Sequence, residues 1–173
     1  MRKKDVRIGD HVLVERSGEV IPQVIKVIED KRRGVEKKVT PPDKCPVCGG
    51  EVSVEEKLVR CENPRCPAKL RESITHFASR DAMDIDGLGE AMAELLVNNE
   101  LMEDLADLYR LEPEDLVGFE GVGEKSARNL VDSIQDSKNR EFSDLLYGLG
   151  IPLVGSTNAS LIAKEFGSME NIS

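Results

Sequence analysis

Four cysteines have the type and spacing of a metal site. Cys45 and Cys48 form a Cys-x-x-Cys pair; twelve residues later, Cys61 and Cys66 form a second pair separated by four residues. Two such pairs typically hold one Zn²⁺ in tetrahedral geometry, and a zinc with four protein ligands has no open position for a substrate. We therefore expect a structural zinc that supplies most of the folding free energy of this short segment.

Two other structures could use the same four sulfurs. The cysteines could form two disulfides, but the sequence has no feature of a secreted chain, and thiols stay reduced inside cells. They could also hold an iron–sulfur centre, whose ligands are likewise Cys thiolates. His76 lies ten residues beyond Cys66 in a helical pattern, so we expect a packing or surface residue rather than a fifth ligand.

A glycine motif suited to binding occurs three times. Gly89, Gly123 and Gly155 lie 34 and 32 residues apart. Each is followed four residues later by an alanine and preceded four residues earlier by an apolar residue. In the first two copies a further glycine, Gly87 or Gly121, stands two residues earlier. A period of about 33 residues predicts repeated helical hairpins.

The motif suggests an anion site at the start of each following helix. Glycines let a partner approach the main chain closely. The first amides of a helix lack acceptors within it and carry the positive end of its dipole, so they can bind a nucleic-acid phosphate without reading bases. The predicted DNA-binding residues are Gly87, Gly89, Gly121, Gly123, Lys125, Ser126, Arg128 and Gly155.

The three hairpins differ in the charge that they carry. The second has Lys125 and Arg128, so we expect it to bind phosphate more strongly than the first, which has Glu90, and the uncharged third. The alternative is a helical bundle in which the glycines serve only as turns and helix C-caps.

The elements that position these residues change along the chain. Residues 6–28 predict two or three strands with a turn at Ser17-Gly18, too few for a sheet that is stable alone. Residues 29–44 are charged and end in a Pro pair, which predicts a hairpin tip or linker. From residue 69 the pattern is helical. We predict a multi-domain chain: a small β segment (1–40), a Cys₄ zinc finger (41–70) and an all-α hairpin array (71–173).

Composition limits what the helical half can bind. The chain is 39% hydrophobic but 3% aromatic, so its core must be aliphatic. The formal charge is +5 over residues 1–80 and −14 over residues 81–173, so DNA contact in the second half would use amides and a few cations rather than a basic surface. Because we find no apolar leader and no apolar run near 18 residues, we expect a cytoplasmic chain without a membrane partner.

Three motifs, in this order, resemble the C-terminal part of bacterial NAD-dependent DNA ligase. RIGDHVLVERSGEVIPQVIKV is similar to the last strands of that family's OB-fold, and CPVCGG with CENPRC is similar to its zinc finger. Residues 118–127 and FSDLLYGLGIPLVGSTNA resemble its helix-hairpin-helix motifs, the latter the third of four. The resemblance implies a parent enzyme that seals 5′-phosphate/3′-hydroxyl nicks in replication and repair. It also implies that this segment helps to encircle nicked double-stranded DNA, with the zinc finger connecting the OB-fold and the hairpins.

The resemblance also implies what this chain lacks. The family's adenylated lysine lies in a K-x-D-G motif, and no such string occurs here. By the same resemblance, we expect this chain to lack the nucleotidyltransferase domain, the nicotinamide-recognising N-terminal domain, most of the OB-fold, the fourth hairpin and the terminal BRCT domain. We therefore expect no catalytic residue, no bound NAD and no ligase activity from this chain alone.

Three alternatives give the chain another role. One is a stand-alone, non-sequence-specific DNA-binding or scaffold module. Another is a helix-hairpin-helix glycosylase, but that family needs a Gly-Pro-Asp element after its hairpin, and residues 128–150 contain no proline. The third is a transcription-associated zinc ribbon, a type of domain that does not continue into a hairpin array.

Overall fold

A computed structural model of the chain describes residues 4–17, 21–55 and 58–172. The backbone divides into two compact units, residues 1–44 with 52–60, and residues 45–51 with 61–173. The predicted fold class, a small β segment followed by a four-cysteine cluster and an all-α hairpin array, is confirmed.

Short strands form three two-stranded sheets. The strands are β1 (Arg7–Ile8), β2 (Val12–Ser17), β3 (Ile21–Val27), β4 (Lys37–Lys38), β5 (Val52–Glu55) and β6 (Leu58–Cys61). Strand β1 pairs with β4, β2 with β3, and β5 with β6. The β2–β3 pair is antiparallel, with a bulge at Leu13 and Val14. The β-branched runs therefore predict β2 and β3 correctly, whereas most of the turn expected at Ser17-Gly18 lies outside the described residues.

A network of ion pairs fixes the loop that follows β3. The guanidinium of Arg32 donates to both carboxylate oxygens of Asp10, at 2.7 and 2.8 Å, and to the carboxylate of Asp5 at 3.1 Å. Asp10 also accepts a hydrogen bond from the backbone amide of Arg7 at 2.8 Å. The hydrogen bond from Arg32 is the main cause that lowers the pKa of Asp10 to about 2.

Residues 29–38 are therefore part of a folded unit. A 3₁₀ helix spans Glu29–Lys31, and β4 pairs antiparallel with β1. The prediction of a tip or linker for residues 29–44 is wrong over this stretch. A run of charge predicts an exposed loop, and it does not reveal that one of its arginines binds two aspartates more than twenty residues earlier.

Helices make up most of the second unit. They are α1 (Pro67–Phe77), α2 (Glu90–Asn98), α3 (Pro113–Leu116), α4 (Glu124–Asp136), α5 (Phe142–Gly148) and α6 (Ser156–Phe166). They pack in chain order as the pairs α1–α2, α3–α4 and α5–α6. The core is mostly aliphatic, as the composition predicts, and its largest fully buried side chains include Ile74, Phe77, Leu96, Leu108, Leu116 and Ile134. Within the described ranges, no helix is both long and apolar enough to cross a membrane.

The Asp10–Arg32 pair predicts a pH-dependent stability of the first unit. A carboxylate with a lowered pKa stabilises the fold above its ordinary pKa of about 3.9, and this stabilisation is lost as the pH falls through about 2. Asp10→Asn should lower the urea midpoint of β2 and β3 at pH 7, followed by the NMR amide signals of those strands. The difference from the parent chain should shrink between pH 4 and pH 2, and a difference that stays constant over this range would contradict the account.

Candidate metal centre and nucleic-acid interface

The four cysteine sulfurs come together at the start of the second unit. All four lie within 4.8 Å of one another, with 3.9 Å between the sulfurs of Cys45 and Cys66 and 3.5 Å between those of Cys48 and Cys61. Four sulfurs about 2.3 Å from one zinc ion lie about 3.8 Å apart at the corners of a tetrahedron. A disulfide would require about 2.05 Å. The cysteines are free, and their spacing fits a tetrahedral metal ion.

Tight backbone turns hold the sulfurs in this arrangement. The amide of Cys45 donates to the carbonyl of Gly50 at 2.8 Å. A Cβ atom at Gly50 would lie 3.1 Å from the Cβ of Asn63 and 3.2 Å from the sulfur of Cys48, so a side chain here would displace these neighbours by a few tenths of an ångström. In the second pair, Cys66 is the N-cap of α1, and Pro67 fixes the first helical residue. Helix α1 therefore begins directly at the cluster.

Three of the cysteines, Cys45, Cys48 and Cys61, differ in how readily they form thiolates. The hydrogen bond from the amide of Gly50 is the main cause that lowers the pKa of Cys48 to about 6, and the amides of Cys48 and Val47 lower the pKa of Cys45. Burial raises the pKa of Cys61 to about 12. A metal ion requires thiolate ligands and its charge offsets this burial. The amides around Cys45 and Cys48 thus favour their thiolates, and a bound cation would favour the thiolate of the partly buried Cys61.

His76 lies apart from the cluster. Its Nε2 atom is 2.9 Å from the carbonyl oxygen of Tyr147, and its ring packs edge-on against the ring of Tyr147 with centroids 4.9 Å apart. The prediction that His76 is a packing or surface residue rather than a fifth ligand is confirmed, and the contact is a packing one.

The three glycine motifs form turns of the same geometry. In each, the amide of the residue before the repeated glycine donates to the carbonyl three residues earlier. These bonds join Leu88 to Ile85 at 3.4 Å, Val122 to Phe119 at 3.0 Å and Val154 to Ile151 at 3.0 Å. The third residue of each turn has a positive φ, at +87° for Gly87, +81° for Gly121 and +69° for Leu153. Glycine adopts this φ without strain and is therefore favoured at the first two positions, whereas the third position holds a leucine.

The repeated glycines themselves are helix N-caps. Gly89, Gly123 and Gly155 precede α2, α4 and α6 with φ of −88°, −91° and −80°, angles that any residue adopts. A Cβ atom added at any of the three would meet no atom of the described chain within 4 Å. Neither the backbone nor internal packing therefore requires glycine at these positions.

The consequence of the glycine caps is an uncovered first turn. In all three helices the first backbone bond runs from the buried alanine to the glycine carbonyl, at 2.9, 3.0 and 2.9 Å. The three amides between them have no acceptor within the helix. A serine or aspartate cap would cover one of these amides and stabilise the helix by about a few tenths of a kcal/mol more than glycine. The glycine caps instead leave these amides without a capping side chain.

Three polar residues predicted to contact DNA lie in the first turns of α4. Lys125 and Arg128 are exposed and form no ion pair within the described ranges. The hydroxyl of Ser126 accepts a hydrogen bond from the amide of Gly123 at 3.0 Å and donates to the carbonyl of Gly123 at 2.8 Å. The serine hydroxyl is therefore occupied within the hairpin, and only its backbone amide remains for an anion.

Leu153 is a residue that the sequence reasoning missed. It takes the turn position that Gly87 and Gly121 take in the other hairpins, and it is 94% exposed. The signal was available in the sequence, because Leu153 stands two residues before Gly155, where the other two copies have glycine.

Comparisons with known proteins agree with this arrangement. The family model described as the NAD-dependent DNA ligase OB-fold domain matches residues 1–36. A model described as a SAM-like helix-hairpin-helix tandem matches residues 79–136, and one described as a helix-hairpin-helix motif matches residues 144–173. The second and third matches together include all three turns.

Curated relatives cover nearly the whole chain. A DNA ligase of Natranaerobius thermophilus is 49% identical over 99% of this chain and 26% of its own length. DNA ligases of Methylacidiphilum infernorum and Citrifermentans bemidjiense are 47% and 52% identical over 100% and 99% of the chain. The chain spans about a quarter of the length of these relatives, 26%, 25% and 26% respectively.

The two kinds of glycine in a hairpin should respond differently to substitution. Gly121→Ala should lower the free energy of unfolding by about 1–2 kcal/mol, because alanine is strained at φ +81°. Gly123→Ala should change it by less than about 0.5 kcal/mol, since φ is ordinary and the Cβ has space. Urea unfolding followed by helical circular dichroism measures both, and equal losses would contradict the assignment.

Proposed function

The chain belongs to the NAD-dependent DNA ligases as a segment of their C-terminal part, and we propose that it binds duplex DNA through the phosphate backbone. The proposed domains are the end of an OB-fold over residues 1–40, a zinc finger over 41–70 and helix-hairpin-helix motifs over 71–173. The hairpins hold the duplex without regard to sequence.

The observation that carries this proposal is the set of N-cap glycines. Gly89, Gly123 and Gly155 adopt ordinary φ values and have open space where a side chain would stand. At three positions, therefore, glycine stands where serine or aspartate would stabilise the helix more, and no contact within the described chain requires it. A partner that contacts the main chain would account for these glycines. A phosphate oxygen is such a partner, because it accepts hydrogen bonds from the exposed amides of a helix start.

The charge distribution decides how such a surface can bind DNA. Residues 81–173 carry a formal charge of −14, so a broad electrostatic attraction is not available there. Binding must come from short contacts at the amides, assisted by the exposed Lys125 and Arg128 in the second hairpin. Residues 1–80, with a formal charge of +5, provide the remaining attraction.

We propose that the four cysteines hold a structural zinc ion. When bound, zinc supplies a tetrahedral crosslink between four thiolates. Cys45 and Cys48 on one turn are joined by it to Cys61 and to Cys66 at the start of α1. Because all four positions are protein ligands, the ion has no site for substrate and no catalytic role.

In a full-length ligase, this segment would keep a nicked duplex in place while other domains carry out the sealing chemistry. The adenylation motif K-x-D-G does not occur in these residues, so the lysine that carries AMP and the nicotinamide-recognising domain would lie elsewhere in the enzyme. The role proposed for this segment is to bind and position the nicked substrate.

Substitutions in the second hairpin test the phosphate contact. Gly123→Val should weaken binding of a nicked duplex by roughly tenfold, since a side chain over the open amides blocks close approach. Lys125→Ala should weaken binding on all sequences and reduce the slope of log K against log [salt] by about one. Fluorescence anisotropy at low ionic strength measures both effects.

The matched control is Glu124→Ala, which changes the neighbouring residue and removes a negative charge. It should leave binding unchanged or strengthen it. The proposal fails if Gly123→Val and Lys125→Ala keep the helicity of the parent chain and bind the duplex equally tightly.

Elemental analysis tests the metal. The purified chain should carry about one zinc per molecule, and Cys48→Ser should abolish stoichiometric binding while the signals of residues 118–130 stay helical. His76→Gln should retain the zinc, since His76 bonds to Tyr147 instead. Iron in place of zinc, or two disulfides by mass spectrometry, would refute the assignment.

A further inference from the structure

Leu153 is the most exposed large apolar side chain among the described residues, and the backbone disfavours it. It is 94% exposed and has φ +69°, a region that leucine rarely adopts. The corresponding turn position holds glycine in the other two hairpins, where φ is similar. A leucine at this position destabilises the fold by backbone strain and exposes apolar surface to water. No other side chain of the described residues covers it.

The hairpin holds this leucine in a defined position. Pro152 occupies the second position of the turn, where its fixed φ favours the turn that Leu153 completes. The carbonyl of Leu153 accepts a hydrogen bond from Nδ2 of Asn158 at 3.0 Å, which ties it to the first turn of α6. Leu153 is therefore held beside the open amides of residues 156–158.

The surroundings of Leu153 differ from those of the other hairpin tips. Residues 145–163 contain no Asp, Glu, Lys or Arg, although the half of the chain in which they lie carries −14. The corresponding turns of the first and second hairpins include Asp86 and Glu120. The third tip is thus the place where a polyanion can approach without acidic repulsion, and its contact must be apolar rather than ionic.

We propose that Leu153 makes an apolar contact in the minor groove of DNA, next to the phosphate held by the start of α6. This inference rests on the proposed function, because it needs the α6 amides to lie on the backbone. The minor groove is about 6 Å wide, so a side chain two residues from a phosphate-binding cap reaches its sugar walls and base edges. Proteins that bind this groove commonly insert leucine or proline there.

This contact gives the third hairpin a binding mode of its own. Phosphate contacts release counterions and weaken with salt, whereas burial of an apolar side chain does not. The third hairpin, which lacks cations, then contributes a part of the affinity that does not depend on ionic strength.

The test uses a substitution that favours the turn. Leu153→Gly restores the residue of the other hairpins, so the fold should be kept while the contact is lost. Binding of nicked duplex should weaken by roughly five- to tenfold with an unchanged salt slope. Leu153→Asn, which also tolerates this backbone, should give the same loss. Leu161→Asn is the control, because Leu161 is a 63% exposed leucine on α6 outside the turn, and it should bind as the parent does.

The groove is tested by replacing guanine with inosine, which removes the amino group from the minor groove and leaves the major groove unchanged. The replacement should change the dissociation constant of the parent chain by a factor at least twice as large as the factor for Leu153→Gly.

The outcomes separate this inference from the proposed function. If both Leu153 variants bind like the parent while Gly123→Val still binds weakly, the groove contact is overturned and the phosphate proposal stands. The minor-groove assignment is overturned if inosine changes the affinities of the parent chain and of Leu153→Gly by the same factor. It is also overturned if Leu153→Gly reduces the slope of log K against log [salt]. A parent chain that does not bind duplex at low salt overturns both proposals.

Discussion

The structure depends on a simple property of helices: the first amides have no acceptor within the helix. A serine, threonine, aspartate or asparagine N-cap covers one of these amides with its side chain, whereas the glycine caps of α2, α4 and α6 cannot. Each opening is prepared by the same turn, in which a positive φ at the third residue leads the chain into a glycine cap. A buried alanine four residues after the cap, 0% exposed in all three copies, anchors each helix against its neighbours. Each repeat therefore exposes the first backbone amides of a helix that is packed into the core.

The cysteine cluster supplies rigidity by a different route. The segment between Cys45 and Cys66 contains few buried apolar side chains, so packing alone cannot order it. Four sulfurs with the spacing of tetrahedral corners could hold a metal ion, and the proposed zinc would then order this segment in place of a hydrophobic core. Cys66 of the cluster is the N-cap of α1, and α1 packs on α2, the first helix with a glycine cap. The cysteine cluster and the first hairpin are thus consecutive parts of one folded unit.

The sequence predicted those features that depend on spacing. The 33-residue repeat and the paired cysteines each depend on local pattern, and the structure has them where the residues indicated. Features that depend on a distant partner were not predictable. The hydrogen bond from Arg32 to Asp10 joins residues 22 positions apart, and no local pattern predicts such a contact. The loop between β3 and β4 was misassigned for that reason. The hydroxyl of Ser126 accepts a hydrogen bond from the amide of Gly123, and the spacing of residues in the motif does not predict this contact. Leu153 was missed because the motif was defined by its glycines, and the informative position was the one where glycine is absent.

The central claim is that the open amides of α2, α4 and α6 contact phosphate. The most direct measurement is a titration of the ¹⁵N-labelled chain with nicked duplex, followed by the amide signals of each residue. The account predicts the largest downfield proton shifts at residues 90–92, 124–126 and 156–158, with the glycine caps close behind. It is contradicted if these signals stay unchanged while the chain binds DNA and the shifts are confined to residues 1–80. The hairpins would then be structural, and the basic segment would be the DNA-binding surface.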